Sequence, residues 1–387
     1  MRVRQMMNRR TLVRRTAIIL LPVGALWTAV PAVAGDGEMG FTNYYFTDSG
    51  ANKVITTAFN MARKLLEQTT FLIDIELDHV TVPPITATTG ASRPQRDKNQ
   101  PFEKSRGQVI LGMEQGIGGN VTVAANFYRS QEVDYISSAA VGTLSVDMFR
   151  KNTTLTLRGQ YNSDKVGKIL ESGDVFNQNK YVFTGALNLT QVLSPTTVLD
   201  LAYDVVYLKG LLSDPYLQVS VLDGAGGTVL VDELHPSRRT RHAGTARISQ
   251  FIPSIRASLL GSYRYYGDTW SVHSHTAELK LNKYVTSDLV FGVDYRYYTQ
   301  TGANFYLPQY TGDIYTTVGL RTVDYKLEPF ASNNFGLNLA LMLRAFGKPG
   351  SDLEFLENSS VELTYFRYFN TLDFSADIVQ FAIKFSI

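Results

Sequence analysis

Hydrophobic and polar residues alternate one by one through long stretches of this chain, and the alternation is cleanest where the sequence ends. Val379, Phe381, Ile383, Phe385 and Ile387 fall on one face of an extended segment, with Gln380, Ala382, Lys384 and Ser386 on the other. Successive side chains of a strand point to opposite sides, so the pattern predicts a strand with one oily and one wet face. Phe71, Ile73, Ile75 and Leu77 alternate with Leu72, Asp74, Glu76 and Asp78, which gathers three carboxylates on one face. Val109, Leu111 and Met113 continue the pattern, as do Val121, Val123, Ala125 and Phe127 after the turn Gly116-Ile117-Gly118-Gly119.

Followed hairpin by hairpin, the period predicts strands over 40–47, 52–64, 71–77, 107–115, 120–129, 140–150, 153–162, 180–191, 197–208, 243–252, 255–266, 273–284, 289–300, 334–346, 358–369 and 375–387. Phe59 to Leu66 also fits a helix, and 313–325 alternates weakly enough to admit one more hairpin. Tight turns at 150–152, 194–195, 253–254 and 286–288 carry Asn, Pro, Ser and Asp, the residues that turns favour. Between them lie long segments at 80–105, 130–139, 163–179, 209–242 and 300–333. Strands of about 10 residues, even in number and joined alternately by short turns and long loops, are the plan of a bacterial outer-membrane barrel.

The predicted fold is therefore all-β: a single antiparallel transmembrane barrel of about 16 strands, with periplasmic turns, extracellular loops, an outward oily face and an inward polar one. Tyr45, Tyr128, Tyr161, Tyr207, Tyr263, Tyr265, Tyr295, Tyr297, Tyr365 and Tyr368 stand near the extracellular ends of upward strands. Tyrosine there predicts an interfacial girdle, because its ring tolerates headgroups while its hydroxyl stays wet.

The N-terminus changes the charge picture. Arg2, Arg4, Arg9, Arg10, Arg14 and Arg15 precede an apolar run from Ala17 to Val30 and the small-residue site Ala32-Val33-Ala34. That order predicts a cleaved secretory signal over 1–34 and a barrel over 35–387. Arg9-Arg10 resembles a twin-arginine signal, but that route carries folded cargo and a barrel crosses unfolded. Losing those six arginines takes 37 Lys and Arg to 31 against 35 Asp and Glu, so a formal +2 becomes −4. The basicity belongs to the export signal, and no nucleic-acid partner is expected. Cysteine is absent, which excludes disulfides, thiolate metal sites and cysteine nucleophiles. No cofactor is expected.

Three groups of residues are candidates for chemistry. Asp200, Asp204, Arg247, Arg256, Arg264, Glu278, Lys280, Asp294 and Arg296 fall on the predicted inward face of the second half, as lining for an aqueous pore. The alternative is a set of structural ion pairs in a plugged lumen. His235, Arg238, Arg239, Arg241 and His242 form a loop patch suited to an anion, an acidic partner or lipopolysaccharide phosphates; the alternative is a solvated charge run. His273 and His275 share one face of a strand with Asp268 upstream, which raises a hydrolase, but no nucleophile elbow surrounds any serine and no further ligands stand nearby for a metal. Pro215, Pro236 and Pro308 fall in the long loops, where no ladder bond is needed.

His235-Pro236-Ser237-Arg238-Arg239-Thr240-Arg241, Tyr263-Arg264-Tyr265-Tyr266-Gly267-Asp268-Thr269-Trp270, His275-Thr276-Ala277-Glu278-Leu279 and Tyr295-Arg296-Tyr297-Tyr298-Thr299-Gln300 together resemble a family of bacterial outer-membrane barrels known as a domain of unknown function. Asp134-Tyr135-Ile136-Ser137-Ser138-Ala139 is similar to its N-terminal counterpart. The likeness covers about 130–310 and departs over Leu307 to Glu328. It implies outer-membrane location and barrel architecture and carries no reaction with it. The expected function is a porin-like passage for small polar solutes or ions. A second reading is a sheath or scaffold holding a periplasmic or secreted partner, for instance a redox protein, and a third is an outer-membrane hydrolase. Expected partners are outer-membrane lipid, lipopolysaccharide and, through the C-terminal strand, the barrel-assembly machinery.

Overall fold

In the computed structural model, which describes residues 37–82, 102–169, 175–222, 225–312, 319–347 and 353–386, the two-residue period closes on itself. The signal predicted over 1–34, most of the segment 83–105, residues 313–318 and Ile387 lie outside the described residues. The wall is built from β1 (Gly37–Asp48), β2 (Lys53–Leu66), β3 (Thr69–Val82), β4 (Phe102–Ile117), β5 (Val121–Gln131), β6 (Tyr135–Met148), β7 (Thr153–Ile169), β8 (Val175–Ser194) and β9 (Thr197–Gly210). Two short strands, β10 (Gln218–Leu222) and β11 (Thr228–Asp232), leave it. It resumes with β12 (Arg238–Ile252), β13 (Ala257–Asp268), β14 (His273–Tyr284) and β15 (Leu289–Gln300), is left again for β16 (Tyr310–Thr311), and ends with β17 (Phe330–Met342), β18 (Ser360–Asn370) and β19 (Ser375–Ser386). Sixteen strands form the closed barrel, each antiparallel to its neighbours, while β10, β11 and β16 make a separate three-stranded sheet.

Closure is the pairing of β19 with β1, in unbroken register from Glu38 opposite Ser386 to Asp48 opposite Ala376. The alternation reads as expected on both. Phe41, Tyr45, Val379 and Phe381 are exposed on the outside, and Ala376, Gln380 and Ala382 are buried within. Phe59 to Leu66, which also fits a helix, is strand throughout, within β2. The outside is oily along the whole wall, with Leu111, Leu157, Leu187, Leu279, Leu337 and Leu363 among its exposed side chains. A closed antiparallel sheet with that exterior leaves no backbone group unpaired in hydrocarbon, and it places the protein in the bacterial outer membrane.

Strand ends differ from the sequence reading. β4 starts at 102 instead of 107, β6 at 135 instead of 140, and β12 at 238 instead of 243, while β7 and β8 run on to 169 and back to 175. The expected long loops at 130–139 and 163–179 are therefore mostly wall. Outward residues there include Ser138, Ser163 and Lys165; beyond the hydrocarbon the outer face no longer needs to be apolar, so the hydrophobic period fades while the ladder continues.

Strict alternation of short and long connections also fails. Extracellular connections at 49–52, 269–272 and 371–374 are tight and share one design. The side-chain oxygens of Asp48, Asp268 and Asn370 each accept the backbone N–H groups two and four residues on, at 2.8–3.1 Å. Each turn sets Ala51, Ser271 or Asp373 in the left-handed region, at φ 60, 66 and 58°. An Asx side chain that satisfies its own loop makes a long connection unnecessary.

The absence of cysteine makes the inside-outside assignment directly testable. In proteoliposomes, a charged maleimide is expected to label Asn188→Cys, which faces the lumen, and to leave the outward Leu187→Cys unlabelled until detergent is added. Equal labelling of both would contradict the assigned faces.

Candidate functional site

Inside the barrel the two halves treat charge differently. In the first half, Glu76 and Asp78 of β3 are tied down. Arg106 Nη2 reaches Glu76 Oε1 and Asp78 Oδ2, both at 2.6 Å, and Thr56 Oγ1 donates to Asp78 at 2.6 Å. Lys104 joins Glu132 and Asp134, the latter at 2.7 Å. Asp164 accepts from Tyr135 and Ser137 at 2.6 Å each and lies 3.1 Å from Lys180 Nζ. This lattice was missed in the sequence because Lys104, Asp134, Tyr135 and Asp164 fall in segments read as loops; its signal was a two-residue polar period continuing past the last oily residue.

The second half carries the candidates read from sequence. Asp200, Asp204, Arg247, Arg264, Glu278, Lys280, Asp294 and Arg296 all face inward. The register sets Arg247 opposite Asp200, Glu278 opposite Arg296 and Lys280 opposite Asp294. Among the described residues these charges are not drawn into close ion pairs of the kind that fix the first half. Arg256 does not belong with them. Pro253–Ile255 forms a 3-10 turn at the periplasmic rim, and Arg256 ends it at φ 50°, exposed, with its guanidinium 5.7 Å from the Tyr284 ring. Proline cannot extend the ladder here, so the strand starts two residues later than expected.

The five-residue patch is also divided by strand geometry. Because β12 begins at Arg238, alternation sends Arg238 and His242 outward and Arg239 and Arg241 inward. Arg239 is buried, donates to Asp268 through Nε at 2.8 Å, and stacks 4.2 Å above the Trp270 ring. His242 meets Tyr203 at 2.8 Å on the outer wall. His273 and His275 are outward as well, 3.0 and 2.5 Å from the hydroxyls of Tyr265 and Tyr263. They belong to the aromatic girdle, away from Asp268. Two of the expected girdle tyrosines face the lumen instead: Tyr128 donates to Gln108 at 3.2 Å, and Tyr368 packs with Phe46 and Phe374.

Both longest loops fold onto the inner rim and meet there as a lid. Strand β10 pairs with β11 and with β16 from the other loop, burying Val219, Val221 and Tyr310. Beneath it Trp270, Val272, Ala303, Phe305 and Leu327 form a second cluster with Leu212 and Tyr266. Tyr325 packs against Phe374 and Ala376 beside Phe46 and Tyr368 of the wall, and Tyr216 donates to Asp134 at 2.6 Å. The lid is thus moored to widely separated strands.

One carboxylate joins the two loops. Glu233, fully buried, accepts from Thr322 Oγ1, from the N–H groups of Val323 and Asp324 at 3.1 and 3.3 Å, and from that of Asp214 at 3.2 Å. His235 Nε2 lies 3.1 Å away, while Nδ1 is 3.0 Å from the Leu212 carbonyl; a carbonyl only accepts, so Nδ1 carries a proton. Burial pushes the Glu233 carboxyl up, but His235, Thr322 and Asp214 outweigh it and hold the group below its ordinary value. Asp214 goes the other way. Burial raises it to about 7 against the pull of the Tyr216 N–H, and Glu233 adds to the rise.

A raised carboxyl favours the folded lid while protonated, so stability is lost as pH climbs from near 4 through about 7. Backbone exchange across 228–235, corrected for intrinsic rates, is expected to be about tenfold faster or more at pH 8 than at pH 5, and Asp214→Asn should remove the difference. Glu233→Ala strands several buried donors, each costing about 1–3 kcal/mol. It should expose the lid to proteolysis at every pH and leave the barrel's heat-resistant mobility intact.

A comparison with curated protein sequences finds no match. Among solved structures, the chain is similar to a bacterial polysaccharide outer membrane secretin at 8% identity, covering 92% of this chain and 100% of that one with a TM-score of 0.48. It is similar to OccAB1 of Acinetobacter baumannii at 10% identity, covering 90% and 95% with a TM-score of 0.46. OpdK of Pseudomonas aeruginosa with vanillate gives 9% identity, 90% and 97% coverage and a TM-score of 0.44. At the level of sequence families the match is nearly complete, running well beyond the 130–310 stretch that carries the motifs: over residues 27–386 the chain matches, and belongs to, the family described as protein of unknown function (DUF3570).

Proposed function

We propose that the protein is a passive channel for small polar solutes or ions, gated at its extracellular mouth by the lid. The observation that carries this reading is the second-half lumen, where Arg264, Glu278, Lys280, Asp294 and Arg296 face inward without being consumed in close ion pairs. A sixteen-stranded barrel is wide enough to hold water, and charges of both signs that stand opposite one another along one wall without closing into ion pairs set a transverse field that orients polar solutes and biases ion passage. The first-half lattice is rigid scaffolding for that path. The lid, moored through Glu233 and Tyr216, narrows the entrance.

In planar bilayers, the purified mature protein is expected to give small conductance steps that grow severalfold in Glu233→Ala, where the lid is released. Arg264→Glu combined with Arg296→Glu should move the reversal potential in a salt gradient toward cation selectivity. Silence from both the native and the lid-released protein would sink the channel reading.

A scaffold is favoured by one observation, the moorings of the lid on β1, β6, β13 and β18, which leave the periplasmic end as the freer entrance. On that reading a second polypeptide would co-purify with the barrel under mild extraction, and Glu233→Ala would not raise conductance.

A further inference from the structure

On the outer wall, β5 to β12 stack three kinds of side chain in register toward the extracellular end. The lowest of the three rows is small: Ala125, Gly142, Gly159 and Gly185 face one another strand by strand. A Cβ built at Gly142 or Gly159 meets nothing within 4 Å, so the row is an open trough and not a packed contact. The row above is mostly aromatic, with Phe127, Tyr161, Phe183 and Tyr207. Tyr161 and Phe183 lie 4.8 Å apart between ring centres, and Phe183 and Tyr207 6.4 Å. Trough and rings enclose a groove of about 490 Å³, floored by Gly159 and Gly185 and walled by Tyr161, Phe183 and Tyr207.

One step higher the wall becomes cationic. Arg129 is opposite Ser138, Ser138 opposite Ser163, and Lys209 opposite both Tyr181 and Arg238. A second hollow of about 170 Å³, lined by Arg129, Ile136, Ser138, Ser163 and Lys165, opens farther along β5 to β7, beyond the β6 and β7 side of the groove. Arg129 Nη1 donates to Ser138 at 2.7 Å, and among the described residues no carboxylate pairs with Arg129, Lys165, Lys209 or Arg238. Like charges directly opposite on a sheet repel, so an anion beside the Lys209 and Arg238 pair would relieve that repulsion.

The sequence of layers specifies an amphiphile. The groove lies within the lipid-facing band, where its filling must be hydrocarbon; a flat leucine wall would take any acyl chain, whereas a recess under an aromatic shelf holds one in place. The head of the same molecule must be anionic and rich in hydroxyls to meet arginine, lysine and serine at the water boundary. We propose that this face binds one phosphorylated glycolipid of the outer leaflet, the lipid A of lipopolysaccharide, with a phosphate between Arg129 and Lys165 and an acyl chain in the glycine trough. Of the loop patch read from the sequence, Arg238 and His242 face this same outer wall, His242 opposite Val205 of the groove lining, while Arg239 and Arg241 point inward and His235 lies in the lid. The site rests on the outer-membrane location alone and is independent of whether the lumen conducts.

Native mass spectrometry of the mature full-length chain in detergent, titrated with bisphosphorylated lipid A, monophosphoryl lipid A or phosphatidylglycerol, tests this. The expected result is one retained bisphosphorylated lipid A, with affinity lowered about tenfold or more by loss of one phosphate, by Arg129→Glu with Lys165→Glu, and by Gly159→Leu. Gly244→Leu, at an outward glycine with equally open space but outside the groove, should bind like the native chain. Heat-modifiable mobility on gels reports folding of every variant, and Gly142→Leu replaces Gly159→Leu if the latter fails to fold. Equal retention of phosphatidylglycerol, or unchanged binding in both the charge and the groove variants, overturns the proposal. So does a dimer that Gly159→Leu abolishes, which would assign the groove to a second copy of the chain.

Discussion

Backbone closure is the constraint from which the rest of this molecule follows. In hydrocarbon an unpaired amide or carbonyl costs several kcal/mol, so a sheet can exist there only if its first and last strands find each other. Pairing of β1 with β19 over their full length achieves this. It forces an even strand number in an antiparallel wall and puts both ends of the barrel on one side. It also separates the two faces: outward positions must be oily, and inward positions are free to carry charge. The paired ions at Arg106 and Asp164 and the looser ones at Glu278 and Arg296 both use that freedom.

The strands were legible because lipid and water enforce a period of two, residue by residue. Their ends were not. At Ser138, Ser163 and Lys165 the wall has left the hydrocarbon, so the outward face stops being apolar while the hydrogen-bond ladder goes on. Arg256 was read as lining because the strand after the turn at Pro253 was expected to begin at 255, whereas the turn runs to Arg256 and the ladder resumes only at Ala257. The patch from His235 to His242 was read as one unit because a loop has no faces, and recognising a strand from Arg238 onward splits it in two. Tyr128 and Tyr368 show the converse: position along the barrel was readable, but which side a tyrosine takes depends on strand parity.

The lid was legible only in part, for a different reason. Its length was visible in the two longest loops, but its cohesion comes from contacts such as Glu233 with Thr322, 89 residues apart, and from a sheet shared between loops. Such a buried carboxylate has no local signature. What alternation reveals is the solvent on each side of a wall; it says nothing of which loops converge over the opening. The family match, in turn, carries architecture and no assigned chemistry.

Trp270 gives this arrangement an unplanned use. The sequence holds two tryptophans, and Trp27 lies within the leader expected to be removed, so a chain beginning at Gly35 has a single indole. That indole is 3% exposed, capped by Arg239 and wedged against Phe305 where the lid rests on the wall. Its emission would therefore follow the seating of the lid without any attached dye, with a barrel otherwise silent at that wavelength.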